Sequence, residues 1–214
     1  MHLDLEEQEQ LAEIKAWWKQ YGKWLIGLVA GLFVIYVVYA GWNWYQLRQS
    51  QAAGKLYEVL MMAAQKQDLP QALKVADDLE SQYSSTSYAG MAGLLAAQLS
   101  NAAGDMANAE KHLRYTMDKA KSTAHSDIAR ARLISLLIDK ADFATAEQLA
   151  SARVSDSFKP LILERHGDVW LAQGKLSEAR GYYRQAWDLL AKNQDAADES
   201  KRLLKIKLDA VGGL

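Results

Sequence analysis

Hydrophobic and polar positions divide this chain into two unlike stretches. Trp24 to Leu47 form a run of 24 residues without a charge, and from Leu25 to Ala40 the aliphatic and aromatic residues are broken only by Gly27 and Gly31. A helix rises roughly 1.5 Å per residue, so such a run reaches roughly 36 Å, enough to cross the hydrocarbon layer of a bilayer with some tilt. Amphipathic rings stand at both ends: Trp17, Trp18, Tyr21 and Trp24 before the run, Trp42, Trp44 and Tyr45 at its close. These residue types settle at the boundary between water and lipid. The pattern predicts a transmembrane helix over residues 24–47. A cleaved leader ending at Val38-Tyr39-Ala40 is the competing reading. It fits less well, because the preceding 23 residues carry Asp4, Glu6, Glu7, Glu9 and Glu13, and the run exceeds the length of a leader's apolar core.

The second stretch is polar, with apolar residues recurring at helical spacing, as in Ala109, Leu113 and Met117. Four segments align within it: Gln67-Asp68-Leu69-Pro70-Gln71-Ala72, Gly104-Asp105-Met106-Ala107-Asn108-Ala109, Ala141-Asp142-Phe143-Ala144-Thr145-Ala146 and Gly174-Lys175-Leu176-Ser177-Glu178-Ala179. Their starts lie 37, 37 and 33 residues apart. Each reads as a turn entering a helix, and each follows an apolar helical stretch: Leu56–Ala64, Met91–Leu99, Ile128–Ile138 and Leu161–Leu171. The unit is helix, short turn, helix, repeated four times. Gly167, Trp170, Gly174, Ala179, Tyr183 and Ala186 fall at the spacings of a tetratricopeptide repeat. Small Gly167 and Ala179 let the two helices of a unit cross closely, Trp170 fills between them, and Tyr183 with Ala186 offers a large and a small surface to the next unit. The other units keep the small residue (Ala72, Ala109, Ala146) and lose most of the large ones.

Ser84 to Ser87, Ser122 to Ser126 and Ser155 to Ser157 are predicted to separate the units and to cap the helices that follow. Asp198 and Glu199 precede an amphipathic stretch with Leu203, Leu204, Ile206, Leu208 and Val211, which predicts a terminal helix closing the open end of the array. The expected fold is therefore all-α. A single N-terminal transmembrane helix leads into an α-solenoid of about four tetratricopeptide-like pairs with a C-terminal capping helix, divided as residues 1–23, 24–47 and 48–214.

Composition narrows the function. From residue 49 onward the chain has 21 basic and 21 acidic residues, so no basic block marks a nucleic-acid surface. Cysteine is absent, which removes disulfides, thiolate metal sites and cysteine nucleophiles. His2, His112, His125 and His166 show no metal-ligand spacing, and His166 reads as a helix-surface residue. Gly90 and Gly93 lack the strand-to-helix setting of a phosphate loop. No catalytic residue, cofactor or small-molecule substrate is expected. Lys15, Lys19 and Lys23 before the apolar run, against Arg48 and Lys55 after it, favour a cytoplasmic N-terminus. Gly27 and Gly31 form a small-xxx-small pair that would let two transmembrane helices approach.

Glu9-Gln10-Leu11, Lys15, Trp17-Trp18-Lys19, Gly22-Lys23, the apolar run, then Gly41-Trp42 and Trp44-Tyr45-Gln46 resemble the YfgM family, the ancillary SecYEG translocon subunits of Gram-negative bacteria. That resemblance extends through the repeats to the end of the chain. It implies an inner-membrane protein, N-terminus inside and repeats in the periplasm, that works with the Sec translocon and a membrane-anchored chaperone of the PpiD type to hand over exported clients. In such a scaffold the first helix of the last unit would turn Leu161, Glu164, Asp168 and Leu171 toward a partner groove. The alternative is a membrane-bound adaptor that sequesters a cytoplasmic signalling regulator through its acidic start, Asp4 to Glu13.

Overall fold

The computed structural model describes residues 5–192 and 198–213, with side chains from Gln10 onward. His2 and Asp4 lie outside the described residues, as do the side chains of Glu6, Glu7 and Glu9. The fold is all-α, and no strand occurs among the described residues. The helices are α1 (Leu5–Gln65), α2 (Leu69–Gln82), α3 (Ser87–Ala102), α4 (Met106–Lys119), α5 (Thr123–Asp139), α6 (Phe143–Ala150), α7 (Lys159–Ala172), α8 (Leu176–Lys192) and α9 (Asp198–Ala210), with a 3-10 turn at Asp156–Phe158 before α7. Two compact units result, residues 1–48 and 49–214.

In the first unit the apolar part of α1 stands exposed along its whole length, Val29, Phe33, Tyr36 and Val37 included. Among the described residues, α1 is the one helix long and apolar enough to cross a membrane. Among the described residues, a Cβ added at Gly27 or Gly31 would meet open space. Trp17, Trp18, Trp24, Trp42 and Trp44 are all exposed, and the Arg48 guanidinium lies 4.8 Å from the Trp44 ring centre.

The second unit pairs the C-terminal part of α1 with α2, α3 with α4, α5 with α6 and α7 with α8; α9 packs on α8. One turn joins the helices of every pair. Gln67, Gly104, Ala141 and Gly174 have φ of 57°, 79°, 57° and 76°, the left-handed conformation that ends a helix. The next amide then reaches back five residues: Asp68 N to Ala63 O at 3.0 Å, Asp105 to Ser100 at 2.8 Å, Asp142 to Leu137 at 2.9 Å and Lys175 to Trp170 at 3.0 Å. In the first three turns the aspartate also caps the second helix, accepting from the amides of Gln71, Asn108 and Thr145. Left-handed geometry costs an L-residue about 1–2 kcal/mol that glycine avoids. Ala141→Gly is therefore expected to stabilise the protein by about 0.5–1 kcal/mol, and Gly104→Ala to destabilise it by about 1 kcal/mol. Thermal melts of the detergent-solubilised full chain check both signs.

The hydroxyl-rich linkers separate the units as expected, but they do not cap. Thr86, Ser122 and Ser155 precede their helices without a side-chain capping bond. Their neighbourhood spends these groups elsewhere: Thr86 Oγ1 donates back to Tyr83 O at 2.8 Å, Ser126 Oγ to Met117 O at 2.5 Å, and Ser155 Oγ to Asp127. Asp198 and Glu199 form the acidic first turn of α9, ahead of its apolar residues.

The small residues Ala72, Ala109, Ala146 and Ala179 are all fully buried. Twelve positions before each of them stands Leu60, Ala97, Ile134 or Gly167; four positions after stands Ala76, Leu113, Ala150 or Tyr183. All eight are buried. Side-chain size alternates along the array: large with small, small with large, large with small, smallest with largest. In the fourth unit the contact is explicit, because a Cβ on Gly167 would lie 2.4 Å from Cε1 of Tyr183. The first three units lose the aromatic signature residues, as expected, and carry an aliphatic one at this pair of positions, on the first helix in the first and third units and on the second helix in the second.

Candidate functional site

The first helices of successive pairs lie side by side, so α3, α5 and α7 present one shared face. It holds a cavity of about 530 Å³ lined by Gln98 and Asn101 of α3, Ile128, Arg132, Ser135 and Asp139 of α5, and Leu161 and Arg165 of α7, with Ala109 and Leu113 of α4 at its floor. Ile128, Arg132, Ser135 and Asp139 follow helical spacing along one stripe of α5. Apolar surface from Ile128 and Leu161 therefore sits among amide, hydroxyl and guanidinium groups that can read a peptide backbone. Arg132 donates to Leu94 O at 3.3 Å, and Arg165 donates to Asp168 at 2.5 Å.

The four residues expected to face a groove do not stay together. Leu161 lines the cavity, and Leu171 lies exposed at the end of α7. Glu164 and Asp168 instead hold Lys207 of α9, at 2.6 Å and 2.7 Å. Asp168 also accepts from the Tyr183 hydroxyl at 2.7 Å, and the Lys207 ammonium stands 5.8 Å from the Tyr183 ring centre. Burial and the bond to Asp168 push the Tyr183 phenol far above its ordinary range, so it stays a donor. Lys207 is separated from these carboxylates by about 40 residues of chain, and no local pattern announces it.

Trp170 is half-buried, with the Lys175 ammonium 4.3 Å from its ring centre. His166 is buried and not on the surface: its ring stacks on Tyr182 with centroids 3.8 Å apart, and burial lowers its pKa. Helical periodicity would have found this, since His166 shares a face with buried Ile162 and Val169.

A second polar cluster joins α2 to α4. His112 is fully buried, and its Nδ1 meets Glu80 Oε1 at 2.8 Å; its Nε2 lies 3.9 Å from Asp77, which Lys111 engages at 2.6 Å. Tyr115 donates to the Glu80 carbonyl at 2.6 Å. These three potential metal ligands come close in space, yet the lysine occupies Asp77 and Glu80 faces the opposite ring nitrogen. The arrangement is a pin between helices. Gly93 makes room for it, since a Cβ there would sit 2.1 Å from Thr116 Oγ1 and 2.8 Å from Glu80 Oε1. A glycine inside a helix costs about 1 kcal/mol, and that cost was the available signal.

Burial raises the Glu80 pKa, partly opposed by His112. A carboxyl whose folded pKa lies above its unfolded one contributes stability below the unfolded value and loses it as pH rises through the folded value. Glu80→Gln removes this contribution, so the melting temperature of the variant relative to the parent is expected to rise as pH increases above 4.5, read by melts at matched ionic strength.

The fold and this face define a class: tetratricopeptide-like solenoids that carry a helix of membrane-spanning length. The family model for the tetratricopeptide repeat-like domain matches residues 15–213. An ancillary SecYEG translocon subunit from Neisseria gonorrhoeae is 31% identical over 99% of this chain and 100% of its own, and one from Aggregatibacter actinomycetemcomitans is 28% identical over 98% and 99%. The chain belongs to the YfgM family, the ancillary SecYEG translocon subunits. The kinesin-light-chain TPR-like repeats of Podosopora anserina share the fold, with a TM-score of 0.54 and 13% identity over 76% of this chain and 85% of theirs.

Proposed function

We propose that this protein is a membrane-anchored scaffold that works beside the Sec translocon and helps pass exported polypeptides to a membrane-anchored periplasmic chaperone of the PpiD type. The observation that carries this reading is the shared face of α3, α5 and α7, a mixed polar and apolar surface of peptide-binding character on a chain that also bears a membrane-spanning run. The relatives' designation as translocon subunits supports the choice of partner. Residues 1–23 would lie in the cytoplasm, 24–47 in the inner membrane and 48–214 in the periplasm. Tethering keeps the repeats at high local concentration near emerging chains, so weak contacts are enough. The repeat fold and the relatives' designation as translocon subunits support a non-catalytic role.

The test combines topology and association. A cysteine placed at Gln51 should react with a membrane-impermeant maleimide added from the periplasmic side, and the full chain should co-purify with SecYEG. Arg132→Glu with Arg165→Glu should reduce crosslinking to an exported nascent chain while leaving translocon recovery intact. Labelling from the cytoplasmic side alone would sink the reading.

A further inference from the structure

We infer that the part of α1 preceding the apolar run is a docking surface for anionic phospholipid headgroups, with Lys15, Lys19 and Lys23 as the phosphate-binding stripe. Spacings of four place the three ammonium groups along one side of the helix, and all three are exposed. No ion pair among the described side chains engages them. On the other side Ile14, Trp17 and Tyr21 are exposed, forming an apolar and aromatic face. Trp18 lies flat against the helix over Gly22, whose absent Cβ would sit 3.1 Å from the indole ring. Glu13 is the one acidic residue between Gln10 and Leu47, and at 100° per residue it falls outside the lysine stripe.

Charge selects the occupant. The cations share one sign, stand within three turns of the apolar run, and ride on long flexible stems. Headgroup phosphates at an anionic membrane surface meet all three together. Arg48 at the far end differs, since its guanidinium is drawn over Trp44.

The inference rests on α1 spanning a bilayer, and the experiment separates the two. Full-length protein is reconstituted into phosphatidylcholine vesicles and into vesicles of equal parts phosphatidylcholine and phosphatidylglycerol. Flotation is measured in both, then the lipid retained after detergent extraction is identified by native mass spectrometry. Flotation in both, with phosphatidylglycerol retained about tenfold over phosphatidylcholine, is expected. Joint replacement of Lys15, Lys19 and Lys23 by Gln should abolish that preference, replacement by Arg should keep it, and raised salt should weaken it. Flotation without preference, or a preference unchanged in the Gln variant, overturns the lipid site alone. Failure to float in either lipid overturns the anchor and the lipid site with it.

Discussion

Leu60→Ala is expected to destabilise the repeat unit by about 3 kcal/mol, and adding Ala76→Leu is expected to restore a good part of that loss. Leu60 is fully buried in the core formed by α1, α2 and α3, a cluster in which alanines (Ala53, Ala63, Ala72, Ala76) outnumber larger side chains such as Val75 and Leu79 among the buried residues. Truncation leaves a void that the alanines of this cluster, having no rotamers, cannot fill. Ala76→Leu alone would overfill the contact, at a cost of about 1–3 kcal/mol. Together the two changes transfer the bulk from the first helix to the second, which is how the next unit is built with Ala97 and Leu113. Thermal melts of the two single variants and the double variant form a cycle. Costs that simply add, with no favourable coupling, would show that alternating size does not govern the packing.

The second large effect is expected at Asp168. Asp168→Ala should cost about 2–3 kcal/mol, because it strips the acceptor from the fully buried Tyr183 hydroxyl and leaves Lys207 and Arg165 close together with less opposing charge. Asp168→Asn should cost less, since its amide oxygen still accepts from Tyr183. Tyr183→Phe in the Asp168→Ala background should recover part of the loss by removing the stranded donor. Hydrogen exchange of α9 is the sharper readout: amides of Leu204 and Leu208 should lose protection in Asp168→Ala before those of α5 do. Equal loss throughout the array would contradict a local hold on the terminal helix.

The turns and small residues were legible in the sequence because their physics is local. A left-handed residue followed by an aspartate cap spans only a few positions, and a buried alanine four residues into each second helix repeats with it. The exposed apolar run was legible for the same reason. What sequence reasoning missed is long-range. Noting only that the first three units lose the large signature residues left the pairing of Leu60 with Ala76 and of Ile134 with Ala150 unseen. Glu164 and Asp168 matched groove positions by register, yet a lysine some 40 residues away claims them. His112 and Glu80 stand 32 residues apart, and only the packing of α2 on α4 brings them to 2.8 Å. The cavity between α3, α5 and α7 draws on three units, so no single repeat contains it.

The alternation of bulk gives the array a way to tell its own helices apart. A nascent chain that releases several similar amphipathic helices risks joining a first helix to the second helix of its neighbour. Such an exchange would set Leu60 against Leu113, or Ala97 against Ala76, producing either a collision or a hole at the same point. An exchange between adjacent units is therefore disfavoured by shape, which biases each first helix toward its own second helix.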